Sequence, residues 1–215
     1  MASGSRESKG IYAQYGCGLC APAGWRNFDA SPTLRLQRLP AVGRIVHIPG
    51  HPVFPRAVEY GDIVKGLPLA PGSCAGVYSS HVLEHLALDD FRTALRNTLS
   101  YLEPGGIFRA LVPDFEAMAR AYLQSDDPAA CLAFISNARL GSEARPRGVR
   151  GWLRHWLGSD AHLWMWDYKS LAAELERAGF REIRRAEVGD SGDPAFDAVE
   201  DAARWEGSVA VHCVR

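Results

Sequence analysis

The stretch AGVYSSHVLEHLALDDFRTALRNTLSYLEPGGIFRALVPD, residues 75–114, decides the fold. AGVYSS and IFRALVPD are β-branched or apolar runs bounded by turn residues, and each predicts a buried strand. Between them, Val82, Leu83, Leu86, Phe91, Leu95, Leu99 and Leu102 recur near a period of 3.6, which predicts a helix with a break near Asp89 and an end at Pro104-Gly105-Gly106. A strand, a helix and a strand of these lengths make a parallel crossover unit.

The same alternation continues outward. Upstream, IYAQYGCG and WRNFD predict two short strands, PTLRLQRL a turn or two of helix, and AVEYGDI a third strand, with AGVYSS the fourth. Prolines 49, 52 and 55 make residues 40–56 an irregular loop of unassigned role. Downstream, EAMARAYLQ, DPAACLAFISNARL and RGVRGWLRHWLG predict helices. DYKSLAAELERAGF predicts an amphipathic helix closed by Gly179, and REIRRAEV and SVAVHCV the last two strands. The expectation is a mostly parallel seven-stranded α/β sheet with an antiparallel C-terminal edge. Residues 1–10 read as a flexible lead-in, and 11–215 as one domain with a helical cap at about 116–166.

Composition agrees with one globular domain: 215 residues, 47% hydrophobic and 23% charged. A net charge of −1 provides no general attraction to nucleic acid or anionic membranes, and no apolar run is long enough for a membrane span. MASGSRESKG lacks the apolar core of a signal peptide, so a cytoplasmic location is expected. The odd number of cysteines, five, fits reduced thiols.

Ligands of open α/β sheets bind beyond the carboxyl ends of the strands. Gly16-Cys17-Gly18 follows the first strand, Asp29 ends the second, Asp62 the third, and Ser79-Ser80-His81 the fourth. A glycine turn brings backbone N–H groups close to a cofactor, and a carboxylate at a strand end accepts from ribose hydroxyls or an adenine amine. Taken singly, each is also an ordinary turn or a solvated acid; together they fall around one crevice.

With these residues in place, the chain resembles the class I S-adenosylmethionine (SAM)-dependent methyltransferases. The likeness runs through GCG…AGWRNFDASP, YGDIVKGLPLAPGSCAGVYSSHVLEHL, LEPGGIFRALVPD and HLWMWDYKSLAAELERAGF. Within that class it is similar to a small group with a G-C-G…G-W-x-N-x-D start and an S-S-H-V-L-E-H centre. The resemblance implies a Rossmann-like fold and transfer of the SAM methyl to an oxygen or nitrogen of a small molecule, a sugar or secondary metabolite among the candidates, with S-adenosylhomocysteine (SAH) as product. It implies that Gly16, Cys17 and Gly18 pass under the methionine and ribose, that Asp29 holds the ribose, that Asp62 and Ile63 meet the adenine, and that Ser79 and Ser80 lie beside the methionine. Gln14, Cys20 and Ala75 depart from the usual pattern and motivate an alternative, a SAM- or SAH-binding scaffold without catalysis.

Other readings compete for some of these residues. His81-Val82-Leu83-Glu84-His85 matches the inverted zinc-hydrolase motif, and Cys17-x-x-Cys20 half of a zinc site or a redox pair. No second CxxC completes a four-thiolate site, and no resident metal is expected. A nicotinamide-dinucleotide enzyme would share the glycine turn but explains neither Asp62 nor residues 76–85. His81 and His162 are the candidate general bases, with Asp114 a third. Arg150, Trp152, Trp164 and Trp166 are the candidate substrate-binding residues, stacking on and pairing with the acceptor, the alternative being core packing of accessory helices. The expected partner is a small-molecule acceptor, with neither nucleic acid nor membrane, and a homodimer is left open.

Overall fold

The computed structural model describes residues 10–39, 53–142, 148 and 161–215. Among them seven strands form one sheet: β1 (Ile11–Tyr15), β2 (Trp25–Asp29), β3 (Val58–Tyr60), β4 (Cys74–Ser80), β5 (Leu102–Pro113), β6 (Arg181–Arg185) and β7 (Ser208–Val214), in the order β3-β2-β1-β4-β5-β7-β6. β1 to β5 pair in parallel, and β7 runs antiparallel to both β5 and β6. This is the expected mostly parallel Rossmann-like sheet. The final strand sits inside it, however, and β6 takes the edge.

Every residue of β4 is buried, as an apolar strand covered on both faces must be. One face carries α2 (Leu88–Tyr101) and α5 (Tyr168–Ala178), packing Phe91, Leu95, Leu171 and Leu175 against Val77, Phe108 and Val211. Two bonds of 2.9 Å from Arg92 to the Glu174 carboxylate tie the helices together. Asp167 and Ser170 form a capping box at the start of α5, and Gly179, with φ +105°, ends it in the left-handed conformation. α3 (Phe115–Leu123) and α4 (Ala130–Asn137) follow β5, and the rest of the expected cap is largely outside the described residues.

The opposite face carries the short α1 (Pro32–Gln37) and the segment between β6 and β7. That segment makes two 3-10 turns, Pro194–Ala198 and Ala202–Arg204, and buries Phe196 against the rings of Tyr12 and Trp25. Beneath it lies Arg109 of β5, wholly buried. Its Nε donates to Glu200 at 2.5 Å, Nη1 to Asp190 at 2.7 Å and Nη2 to the Glu187 carbonyl at 2.8 Å. Nη1 also lies 3.2 Å from His212 Nδ1. Arginine only donates, so Nδ1 accepts and His212 is neutral. Burial, with Arg184 and Arg109 nearby, pushes the His212 pKa down to about 4.

Two boundaries differ from expectation. The break in the central helical stretch lies at Leu86–Ala87, not at Asp89: Leu83–His85 form a 3-10 turn, and Asp89 and Asp90 occupy the first turn of α2, where carboxylates favour the helix N-terminus. Pro104-Gly105-Gly106, read as a helix stop, already belongs to β5, where the Gly105 N–H donates to the Arg215 carbonyl at 3.1 Å.

Candidate functional site

Strand register brings the predicted residues to one edge of the sheet. Tyr15 pairs with Phe28 on one side and Ser79 on the other, so Gly16, Asp29 and Ser80 follow at adjacent strand ends. Asp29 pairs with Tyr60, and its carbonyl accepts from Gly61 at 3.1 Å. β1 reaches β2 through residues 16–24 alone, without a crossover helix, so the glycine turn lies directly over the end of β2.

The two glycines do different work. Gly16 has φ +65°, and a Cβ there would stand 2.0 Å from Val82 Cγ2, so its lack of a side chain serves packing against the turn after β4. Gly18 has φ +55°, but a Cβ there would meet nothing within 4 Å. Gly16→Ala is therefore expected to cost about 2–4 kcal/mol of stability through clash and backbone strain. Gly18→Ala should cost about 1 kcal/mol from strain, while weakening SAH binding roughly ten-fold because the new methyl enters the open cradle. Urea denaturation and calorimetry separate the two; equal effects of both substitutions on stability would contradict this division.

The Asp29 carboxylate closes the turn. Oδ2 accepts from the Gly18 N–H at 2.9 Å, and Oδ1 accepts from the Ser31 N–H at 2.8 Å and from the Ser31 hydroxyl. An acid tied to the glycine turn, beside open space over Gly18, fits the ribose-bearing cofactor that the resemblance implies. Gln14 and Asn27 support the turn from beneath: Gln14 Nε2 donates to Asn27 Oδ1 at 2.6 Å and to the Cys20 carbonyl at 3.0 Å. Gln14 thus holds the loop from beneath.

The remaining predicted cofactor residues are less uniform. Cys17 contributes backbone only, its side chain being buried with Leu34, Phe54 and Val58 and its thiol pushed up to about 12 by burial. That environment does not suit a thiolate for redox or zinc chemistry. Asp62 lies two residues past β3, with Oδ1 accepting from Val64 N and Oδ2 3.2 Å from Lys65 Nζ, and it remains partly exposed. Ile63 is buried in the main core, and its carbonyl accepts from Asn97. The Ser79 and Ser80 hydroxyls are buried beside the Tyr15 and Tyr78 phenols without a hydrogen bond of ordinary geometry.

The candidate bases sit in different surroundings. His81 stands at φ +55°, a strained conformation at the end of β4. Its Nε2 faces the Arg204 carbonyl at 3.0 Å and its Nδ1 faces Glu84 Oε1 at 3.3 Å, a contact that raises its pKa. Arg204 Nη2 in turn donates to the Ser80 carbonyl at 3.0 Å. With both ring nitrogens engaged, His81 latches the C-terminal 3-10 turn to β4 and is not a free base. His162 is buried, with its ring 5.0 Å from that of His85. Asp114 caps α3, accepting from Ala117 at 3.1 Å.

The tryptophans divide. Trp166 is 2% exposed and stacks on Phe91 at 4.1 Å, so it is core and has no face for a substrate. Trp164 is 42% exposed on the segment whose Leu163 and Trp164 N–H groups both donate to the Glu84 carbonyl. Arg150 and Trp152 lie outside the described residues. Sequence reasoning missed the Arg204 latch and the near-complete burial of Glu84; a lone acid within the apolar run VLEHL was the available signal.

A family model described as a methyltransferase domain matches residues 19–184. No curated protein matches. Among solved structures, a SAM-dependent methyltransferase of Thermotoga maritima is similar at 15% identity and TM-score 0.50, covering 96% of this chain and 83% of that one. SAM-dependent methyltransferases of Archaeoglobus fulgidus (13% identity, TM-score 0.48, 95% and 85% covered) and Mesorhizobium loti (20%, 0.46, 95% and 90%) are also similar.

Proposed function

Since the chain belongs to the methyltransferase-domain family and is a class I SAM-dependent methyltransferase, we propose that its acceptor is a small molecule methylated on oxygen or nitrogen. The observation supporting this reading is Trp164, an indole left 42% exposed on a segment anchored to the turn after β4. An exposed ring beside the carboxyl end of the sheet can stack on a planar or sugar-like acceptor.

Bound SAM supplies an activated methyl on a sulfonium. The chain's own part is placement. Gly18 opens the cradle, Asp29 fixes the turn and would hold the ribose hydroxyls, and Asp62 would accept from the adenine amine. Ser79 and Ser80 contribute a buried hydroxyl pair beside the methionine portion, where bulkier side chains would fill the space. His81 acts as a positioning residue, holding the end of β4 and the Ala202–Arg204 turn together. Transfer then depends on aligning nucleophile, methyl and sulfur, an entropic advantage that needs no dedicated base.

The test is methyl transfer from isotope-labelled SAM in a cell extract separated into small-molecule and macromolecular fractions. Label in the small-molecule fraction is expected. Label confined to protein or nucleic acid would overturn the acceptor class, and SAH binding with no transfer to either fraction would favour the non-catalytic scaffold.

A further inference from the structure

We propose that Glu84, His85 and His162 bind one divalent transition-metal ion, with zinc the best match. Glu84 and His85 lie in the 3-10 turn after β4, and His162 lies in the segment that returns to α5. One ligand atom from each lies within 4.8 Å of those of the other two. Ligand atoms around tetrahedral zinc, at bonds of about 2.1 Å, stand about 3.4 Å apart, so small movements of side-chain ends close the set.

A second observation points to a cation in the same place. Oε2 of Glu84 and Nδ1 of His162 are buried without a hydrogen-bond partner, and Oε1 of Glu84 has only His81 Nδ1, at 3.3 Å. Glu84 is only 1% exposed and His162 only 8%. The second carboxylate oxygen and the bare imidazole nitrogen lose hydration that no protein group replaces, and a shared cation replaces it for both.

The surroundings also orient the ligands as metal sites require. His85 Nδ1 lies 3.1 Å from the Ala161 carbonyl. A carbonyl can only accept, so Nδ1 carries the proton and the lone pair is on Nε2. The His162 main-chain N–H donates to the Arg139 carbonyl at 3.3 Å. The His85 ring is thus anchored to the backbone, His162 is tied down through its main chain, and His81, 3.3 Å from Glu84 Oε1, steadies the carboxylate. Two imidazoles and a carboxylate, without thiolate, suit zinc and its neighbours better than calcium or magnesium. This is not the inverted hydrolase arrangement: His81 faces the Arg204 carbonyl, and Glu84 is a ligand, not a base. The ion would join the turn after β4 to residues 161–166.

The experiment titrates chelator-stripped protein with Co2+ alone and then displaces it with Zn2+. One Co2+ per chain is expected, with visible absorption bands of a low-coordinate ion that Zn2+ abolishes. His85→Asn and His162→Asn should each weaken Zn2+ binding about a hundred-fold or more, and His81→Asn about ten-fold. Circular dichroism checks folding, and if Glu84→Gln fails to fold the two histidine variants still carry the test. No binding to folded wild-type protein would overturn the proposal. So would binding that survives both histidine substitutions, or that is lost on Cys20→Ser instead.

Discussion

Replacing Arg109 by methionine is expected to destabilise the protein by about 3–5 kcal/mol, because it strands a buried carboxylate. Arg109 is wholly buried and Glu200, its partner at 2.5 Å, is 1% exposed, so neither water nor another cation compensates. The guanidinium also lies over the rings of Phe196 and Trp205, at 5.9 and 5.5 Å, so the substitution loosens the 3-10 segment from its face of the sheet. Changing Glu200 to leucine in the same chain removes the stranded charge, and the double variant should be more stable than Arg109→Met alone. Guanidinium denaturation of Arg109→Met, Glu200→Leu and the double variant measures the coupling. A loss below about 1 kcal/mol for Arg109→Met would mean that the network contributes little.

The second large effect is on binding. Asp29→Asn should weaken SAH binding by about a hundred-fold or more, as the charge-assisted bonds proposed to the ribose would become neutral or be lost. The same carboxylate already accepts from Gly18 and Ser31, so Asp29→Ala would also release the turn. Asparagine, which retains one oxygen, is therefore the cleaner variant, and should leave stability within about 2 kcal/mol of wild type. Calorimetric titration with SAH on protein of verified fold provides the number; an unchanged affinity would remove Asp29 from the ribose.

Much of this architecture was legible because its signals are local. Ser208–Val214 is a Val-rich apolar run, as a strand buried on both faces should be, and Gly179 ends α5 as its position predicts. The glycines and Asp29 were found because the ends of parallel strands gather in one crevice. What escaped depends on partners distant in sequence. Nothing near Arg109 announces Glu200, 91 residues later, so an arginine inside an apolar strand could not be assigned its network. Periodicity does not say which indole of Trp164 and Trp166 turns inward; only the stacking of Trp166 on Phe91 decides it. His81 was a reasonable base by residue type and position, but the Arg204 latch that engages it comes from the other end of the chain.

The placement of β7 also bears on how the protein is made. β5 and β6 are not paired with each other, and each meets β7, the last of the seven strands in chain order. During synthesis β5 therefore has one open edge, and β6 no place in the sheet, until residues 208–214 leave the ribosome. Such edges invite pairing with other chains, and the late, long-range closure slows folding. A ribosome pausing within the 3-10 segment would hold the nascent chain at an aggregation-prone stage, with six strands made and the one that joins β5 to β6 not yet translated.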